Sequence, residues 1–209
     1  MAVASSGRPA GHLAQVSRAL GTAGRALLAN LANILTASRL VSAGPLALLV
    51  LHERDALAFW IFLAAALTDV ADGYVAKRWA SPSQVGAALD PAADKLLLGC
   101  LFLALAARDL LPAWLVVLAI GRDVMLVAGA VALRSRLREF RIEPLVVGKI
   151  STFLQLVLVG HVLGHAAGIA EVGWVIEALV AAVAVVTVVS ASAYLAAGLR
   201  LLARASEPA

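Results

Sequence analysis

The chain is poor in charge and nearly devoid of cysteine. Only 14% of its 209 residues are charged, and a soluble domain of this length carries nearly twice that share. Cys100 is the sole cysteine and sits in an apolar run, which excludes an internal disulfide and argues against redox chemistry. Of the four histidines, only His161 and His165 are closely spaced. They stand four apart without the glutamate of an HExxH metal site, so the pair reads as an interfacial helix end. No acid precedes Glu53. What fills the chain instead is hydrocarbon: 62% of the residues are hydrophobic and the mean hydropathy is +0.94. Composition alone places the chain in a membrane.

A span across about 30 Å of hydrocarbon needs roughly 20 apolar residues. Six such stretches are expected, at about 33–52, 56–78, 85–107, 112–133, 145–167 and 172–199, joined by short polar connections that leave no room for a soluble domain between them. The expected fold is an all-α integral membrane protein. Residues 1–32 form an N-terminal juxtamembrane segment, 33–203 the six-helix membrane domain and 204–209 a short tail.

Residues 1–32 are basic, acid-free and contain Ala and Ser, a composition shared by transit peptides. The spacing of Leu13, Val16, Leu20 and Leu27 favours an amphipathic helix lying in the headgroup layer. No short apolar segment with a cleavage site precedes the first span, so a secretory signal is not expected.

Lys and Arg set the orientation. One side collects eleven: Arg8, Arg18, Arg25, Lys77, Arg78, Arg134, Arg136, Arg138, Arg141, Arg200 and Arg204. The other has two, Arg54 and Arg108. The bias predicts cytoplasmic termini, in a bacterial inner membrane or, as the alternative, a mitochondrial one. The Arg134–Arg141 loop then attracts anionic lipid, and nucleic acid is not an expected partner.

Against this background four carboxylates stand out. Asp69 and Asp72 close the second span, and Asp90 and Asp94 open the third. A carboxylate in hydrocarbon costs several kcal/mol unless compensated, and four together repel one another. Bound cations reconcile them, and an all-oxygen donor set suits Mg2+ or Mn2+. Asp69, Asp72 and Ala76 fall on one helix face, as do Gly86, Asp90 and Asp94. If the two spans form an antiparallel hairpin, these faces meet. Gly73, Ala76 and Gly86 leave space for a bulky ligand. Asp72 lies only about 7–8 Å inside the helix end marked by Lys77, so the pocket is near the cytoplasmic interface and suits a lipid with a charged head.

The run from Asp69 to Asp94 resembles the signature of the CDP-alcohol phosphotransferases, D-x2-D-G-x2-A-R-x8-G-x3-D-x3-D. Seven of its eight fixed positions match at the required spacing, and Lys77, followed by Arg78, stands where the family has arginine. Asn33-Ile-Leu-Thr36-Ala-Ser-Arg39 is similar to the N-x2-T-x2-R element that opens the first span. Asp90-Pro91-Ala-Ala-Asp94-Lys95, Arg122-Asp123-Val-Met and Gly148-Lys149-Ile-Ser-Thr152-Phe-Leu-Gln155 resemble elements of the phosphatidylglycerophosphate synthase and cardiolipin synthase branches. The likeness covers roughly residues 30–200.

The resemblance implies transfer of a phosphatidyl group from CDP-diacylglycerol to an alcohol with release of CMP. It implies two divalent metals, Mg2+ or Mn2+, held by Asp69, Asp72 and Asp90, with Asp94 completing the site and acting as the base. Gly73, Ala76, Lys77, Arg78 and Gly86 would receive the CDP-lipid. Lysine at 77 keeps the charge but loses the bidentate fork, so Arg78 is the candidate for that contact. Arg122, Lys149 and Arg39 are candidates for the acceptor's phosphate, against the alternative that they snorkel to the headgroups. Asp123 is expected to pair away from Arg122, in a structural salt bridge or in catalysis. Glu177 is expected at the opposite interface.

The favoured acceptor is phosphatidylglycerol, with glycerol 3-phosphate as the alternative, and a homodimer in the lipid bilayer is expected. Two other classes stand beside the enzyme: a cation transporter, and a non-catalytic membrane scaffold. A transporter site belongs at the midplane on repeated broken helices, and a scaffold has no need of four intact aspartates. Metal-dependent CMP release separates the enzyme from both.

Overall fold

The computed structural model describes residues 41–79, 84–136, 146–169, 171 and 173–205; at 69–79, 84–94, 134–136, 202 and 204–205 the description is of helical backbone alone. The expected N-terminal amphipathic helix, Arg39, the Ser81–Ser83 connection and residues 137–145 of the basic loop lie outside the described residues. Among the described residues the chain is all helix: α1 (Val41–Leu51), α2 (Asp55–Trp79), α3 (Gln84–Ala107), α4 (Ala113–Arg136), α5 (Val146–Ala166) and α6 (Gly173–Ala205). Among the described residues, three helices are long and apolar enough to cross a membrane: Ala113–Leu133, Val146–Ala166 and Gly173–Leu201. Within the residues described with their side chains, α1, α2 and α3 contribute the apolar stretches Val41–Leu51, Asp55–Thr68 and Lys95–Ala107.

Three turns on one side of the bundle are built alike. Arg54 N–H donates to Leu49 C=O at 2.9 Å, Leu110 N–H to Leu105 C=O at 2.9 Å and Ile169 N–H to Gly164 C=O at 3.0 Å. Each is the long bond of a helix C-terminal cap, and each requires a left-handed residue just before it. Gly168 supplies one at φ 67°, but Glu53 (59°) and Asp109 (56°) take the same conformation with a Cβ to accommodate.

α5 is central, pairing with α2, α3 and α6, while α4 pairs with α3 and α6. Among the described residues α5 is the element that packs against both acid-bearing helices, and the faces expected to meet between α2 and α3 lie outside the described side chains. Small residues explain its close approach. A Cβ on Gly164 would lie 3.2 Å from the Phe59 ring and one on Gly160 3.4 Å from Phe62. Four apart, the two glycines form a notch that seats both rings of α2. Around them Leu46, Val50, Leu101, Phe102, Leu105, Leu115, Leu158, Leu163 and Val183 form one core cluster. Outward-facing Trp60, Leu103, Val117, Val131, Phe153 and Val185 are left exposed, as a lipid-facing surface requires.

Arg108 locks the end of the bundle bearing the three turns. Its guanidinium forks onto both carboxylate oxygens of Asp55, with Nη2 3.0 Å from Oδ2, and Nη1 also donates to the Val50 carbonyl at 2.9 Å. One side chain thereby joins the end of α1, the start of α2 and the α3–α4 turn. The hydrogen bond with Asp55 holds the guanidinium above its ordinary value, against burial, so it stays charged at any physiological pH. With only 18% and 11% of the two side chains exposed, removal of one partner strands the other. Arg108→Met is expected to cost on the order of 3 kcal/mol, read as a lower unfolding midpoint in detergent. An unchanged midpoint would show the fork to be energetically idle.

Candidate functional site

Asp69 and Asp72 fall in the last three turns of α2, and Asp90 and Asp94 in the first three of α3. Asp72 is seven residues from the end of α2 and Asp90 six from the start of α3, so at 1.5 Å per residue both lie about 9–11 Å from the intervening connection. Asp69 and Asp94 are each ten residues in, or about 15 Å. The acids therefore occupy matching depths on two successive helices. α3 stays helical through Pro91, which has no N–H to offer the Ala87 carbonyl. Gly73, Ala76, Lys77 and Arg78 lie in the same α2 segment and Gly86 in the first turn of α3. The side chains of these nine residues lie outside the description.

The described side chains adjoining this segment form a polar layer. Among the described residues the buried polar ones are Arg122, Ser151, Gln155, Thr187 and Ser190. Arg122 is only 5% exposed. Its Nη1 donates to Asp123 Oδ1 at 2.6 Å and its Nη2 to Ser190 Oγ at 2.6 Å, while its Cζ stands 5.8 Å from the Tyr194 ring centroid. Among the described residues Arg122 Nε has no hydrogen-bond partner. Lys95, the residue after Asp94, donates from Nζ to the same Asp123 Oδ1 at 2.9 Å. Below this cluster the Ser151 and Thr187 hydroxyls meet at 3.3 Å, and Gln155 Nε2 donates to Ser151 Oγ at 3.4 Å.

The backbone of α5 is cut to fit Arg122. A Cβ on Gly148 would lie 3.0 Å from the Tyr194 hydroxyl and 3.1 Å from Arg122 Nη2. Only the lack of a side chain lets α5 approach so closely.

The proposed acceptor residues therefore stand in different settings. Arg122 is enclosed, with both terminal nitrogens occupied inside the protein, whereas Lys149 is exposed in the first turn of α5 and has no ion pair among the described residues. Asp123 pairs with Arg122 itself as well as with Lys95, contrary to the expectation that it pairs elsewhere. The reason is geometric: a long guanidinium stem can fold back onto its sequence neighbour. His161 Nδ1 bonds within its own helix, to Val157 C=O at 2.8 Å. Among the described residues no three His, Cys, Asp or Glu side chains form a metal-sized group. Lys95 and Gly148 stand within motif-like stretches, yet residue type alone assigned them no role; the polar positions Ser151, Gln155 and Thr187 at helical spacing were the available hint of a buried seam.

An apolar groove of about 580 Å³ runs between α3 and α4 from Lys95 and Asp123, past Gly99 and Phe102 on one wall and Ile120 and Val124 on the other.

Comparison with known proteins bears directly on this segment. The profile of the CDP-alcohol phosphatidyltransferase family matches residues 29–193. Rat cardiolipin synthase (CMP-forming) is 37% identical over 143 residues, 61% of this chain and 47% of its own length. The human protein of the same name is 36% identical over 143 residues, 61% of this chain and 48% of its length. A Mycobacterium tuberculosis protein named as a probable phosphatidylglycerophosphate synthase is 37% identical over 186 residues, 85% of this chain and 86% of its own. The chain thus spans about half the length of the cardiolipin synthases it matches.

The tight fit at Gly148 makes a contrast that can be measured. Gly148→Val drives methyl groups into the Arg122 and Tyr194 side chains and is expected to lower stability by about 1–3 kcal/mol. Gly99→Ala places its methyl in open space and should be neutral or stabilising, by up to about 1 kcal/mol. Equal unfolding midpoints for the two variants would refute the close approach.

Proposed function

The chain belongs to the CDP-alcohol phosphatidyltransferase family, and on that premise we propose that it transfers the phosphatidyl group of CDP-diacylglycerol to the hydroxyl of phosphatidylglycerol, releasing CMP and forming cardiolipin. The observation that carries this reading is the set of four aspartates at matched depth on α2 and α3, in the family's spacing, beside a cationic layer.

The donor set fits a divalent metal centre. It offers carboxylate oxygens only, the choice of Mg2+ and Mn2+. Asp69, Asp72 and Asp90 would hold two ions, with Asp94 completing the site. Bound there, the ions would neutralise the diphosphate and the departing CMP. Asp94 would accept the proton of the acceptor hydroxyl as that oxygen forms its bond to the phosphorus bearing diacylglycerol. The bond from that phosphorus to the CMP oxygen breaks, and CMP leaves with the electron pair. Positioning and charge neutralisation suffice for such a transfer, and no covalent intermediate on the protein is needed. Gly73, Ala76 and Gly86 would admit the nucleotide, and Lys77 and Arg78 the donor's phosphates. Lys149, exposed on α5, is the better-placed candidate for an incoming acceptor phosphate, and Arg39 shares that role in this reading.

Two acceptors are supported by different observations. The apolar groove leading from Lys95 and Asp123 offers a lateral path that acyl chains need and glycerol 3-phosphate does not. The long alignment to the mycobacterial protein supports glycerol 3-phosphate as the second reading. In liposomes with labelled CDP-diacylglycerol, cardiolipin is the expected product with Mg2+ or Mn2+ and none with excess EDTA. Asn in place of Asp69, Asp72, Asp90 or Asp94 should lower turnover at least about a hundredfold. Phosphatidylglycerophosphate as sole product would reject the acceptor and keep the family chemistry; undiminished CMP release in EDTA would reject the metal mechanism.

The orientation is part of the proposal: six spans, an N-terminal interfacial helix, and the acid-bearing ends facing the cytoplasm of a bacterial inner membrane, as a homodimer. The eleven-to-two division of Lys and Arg supports it. Single cysteines at Ser83 and Ala170 are expected to react with an impermeant label from opposite sides, and reaction of both from one side would overturn the six-span arrangement.

A further inference from the structure

We propose that Asp123 is a positioning residue of the transfer centre: clamped by Arg122, its carboxylate holds Lys95 and thereby fixes the rotation of the α3 turn that carries Asp94. The inference rests on the reading that Asp94 receives the acceptor's proton.

Successive residues on a helix are separated by about 100°. A fixed Lys95 therefore fixes the azimuth of its neighbour. The buried apolar side chains of α3 start at Leu97 and Leu98, so among the described residues Lys95 is the tether nearest Asp94.

A lone Lys–Asp pair with side chains 32% and 26% exposed would hold weakly. Arg122 changes this. It reaches the same Oδ1 that Lys95 uses, at 2.6 Å, and cannot itself move. Ser190 holds its other nitrogen, Tyr194 flanks it, and the Gly148 backbone closes against it. The relay runs from α3 through Lys95 to α4, and from α4 through Arg122 to α6, with α5 pressed on its side. It sets four helices against one another beside the first turns of α3. In this role Arg122 is the anchor of Asp123 and not a ligand of the acceptor's phosphate.

The test uses the full chain in liposomes, with kcat and KM measured for CDP-diacylglycerol and for the acceptor. Asp123→Asn keeps the shape and removes the charge. It should lower kcat about 10- to 100-fold and leave both KM values within about threefold. Lys95→Met should do the same, and the double variant should be no slower than the worse single one, as expected of residues acting as a unit. Lys95→Arg, which keeps charge and reach, should recover most of what Lys95→Met loses. If Asp123→Asn does not fold, the one-third-exposed Lys95 decides through its own variants. Retained kcat, multiplicative losses, or a rise confined to the acceptor's KM would each overturn the inference, the last by making the cluster a binding site. Asp94→Asn run alongside separates the two levels. An inactive Asp94→Asn with a normal Asp123→Asn rejects the relay alone, whereas an active Asp94→Asn rejects the assignment of the base.

Discussion

A guanidinium enclosed within a hydrocarbon-facing bundle must be surrounded by acceptors, and the polar half of this protein is arranged around that requirement. Arg122 at 5% exposure would cost several kcal/mol to bury alone. Asp123 supplies the countercharge, Ser190 an oxygen and Tyr194 a ring face. Each comes with a constraint on its helix. α6 must present a serine and a tyrosine four residues apart, and α5 must bring a glycine to the contact. The crossing of α4, α5 and α6 at this level is set by one cation.

The bundle divides its labour along its length. Toward the three capped turns it is held by apolar packing, by the rings of Phe59 and Phe62 in the notch of Gly160 and Gly164, and by the Arg108 fork. Toward the aspartates, hydroxyls, an amide and a guanidinium replace the leucines. Buried polar groups add little net stability but penalise any arrangement that leaves them unpaired. The first half supplies adhesion and the second supplies uniqueness of geometry, which is what a site acting by positioning needs.

Much of the helix layout is legible in the sequence. The expected spans 56–78, 85–107, 112–133 and 145–167 agree to within three residues with α2, α3, α4 and α5, because long apolar runs bounded by charge leave little choice of boundary. α6 runs six residues beyond the expected 199, to Ala205, because Arg200 and Arg204 end the hydrophobic run without ending the helix. The acid-bearing segment stands out by its carboxylate spacing, and its helices are expected there, while its side chains lie outside the described residues. The Lys95–Asp123–Arg122–Ser190 relay is not legible. Its members are separated by 28 and 68 positions, and serine or threonine in an apolar helix has the same pattern whether it bonds across the bundle or back to its own carbonyl, as Ser192 does with Val188. Partner choice between distant helices is a tertiary property. Periodicity says which face a residue occupies but not what it will meet there.

Charge balance gives the relay a second meaning beside the aspartates. Lys95 and Arg122 share the single carboxylate of Asp123, so the three side chains together carry one surplus positive charge. That surplus adjoins a helix segment whose acids number four with those of α2. Coulomb attraction across a low-dielectric layer falls slowly with distance, so a surplus cation near a set of carboxylates acts on them beyond direct contact. One surplus charge cannot balance four carboxylates, and the proposed metal ions would supply the rest. A layer that is cationic on one side and acidic on the other is polarised before any ligand arrives. An anionic headgroup is drawn to the cationic side, while the acidic side remains costly until positive charge fills it. If the aspartates form the proposed centre, the relay and the acids are complementary parts of one electrostatic arrangement.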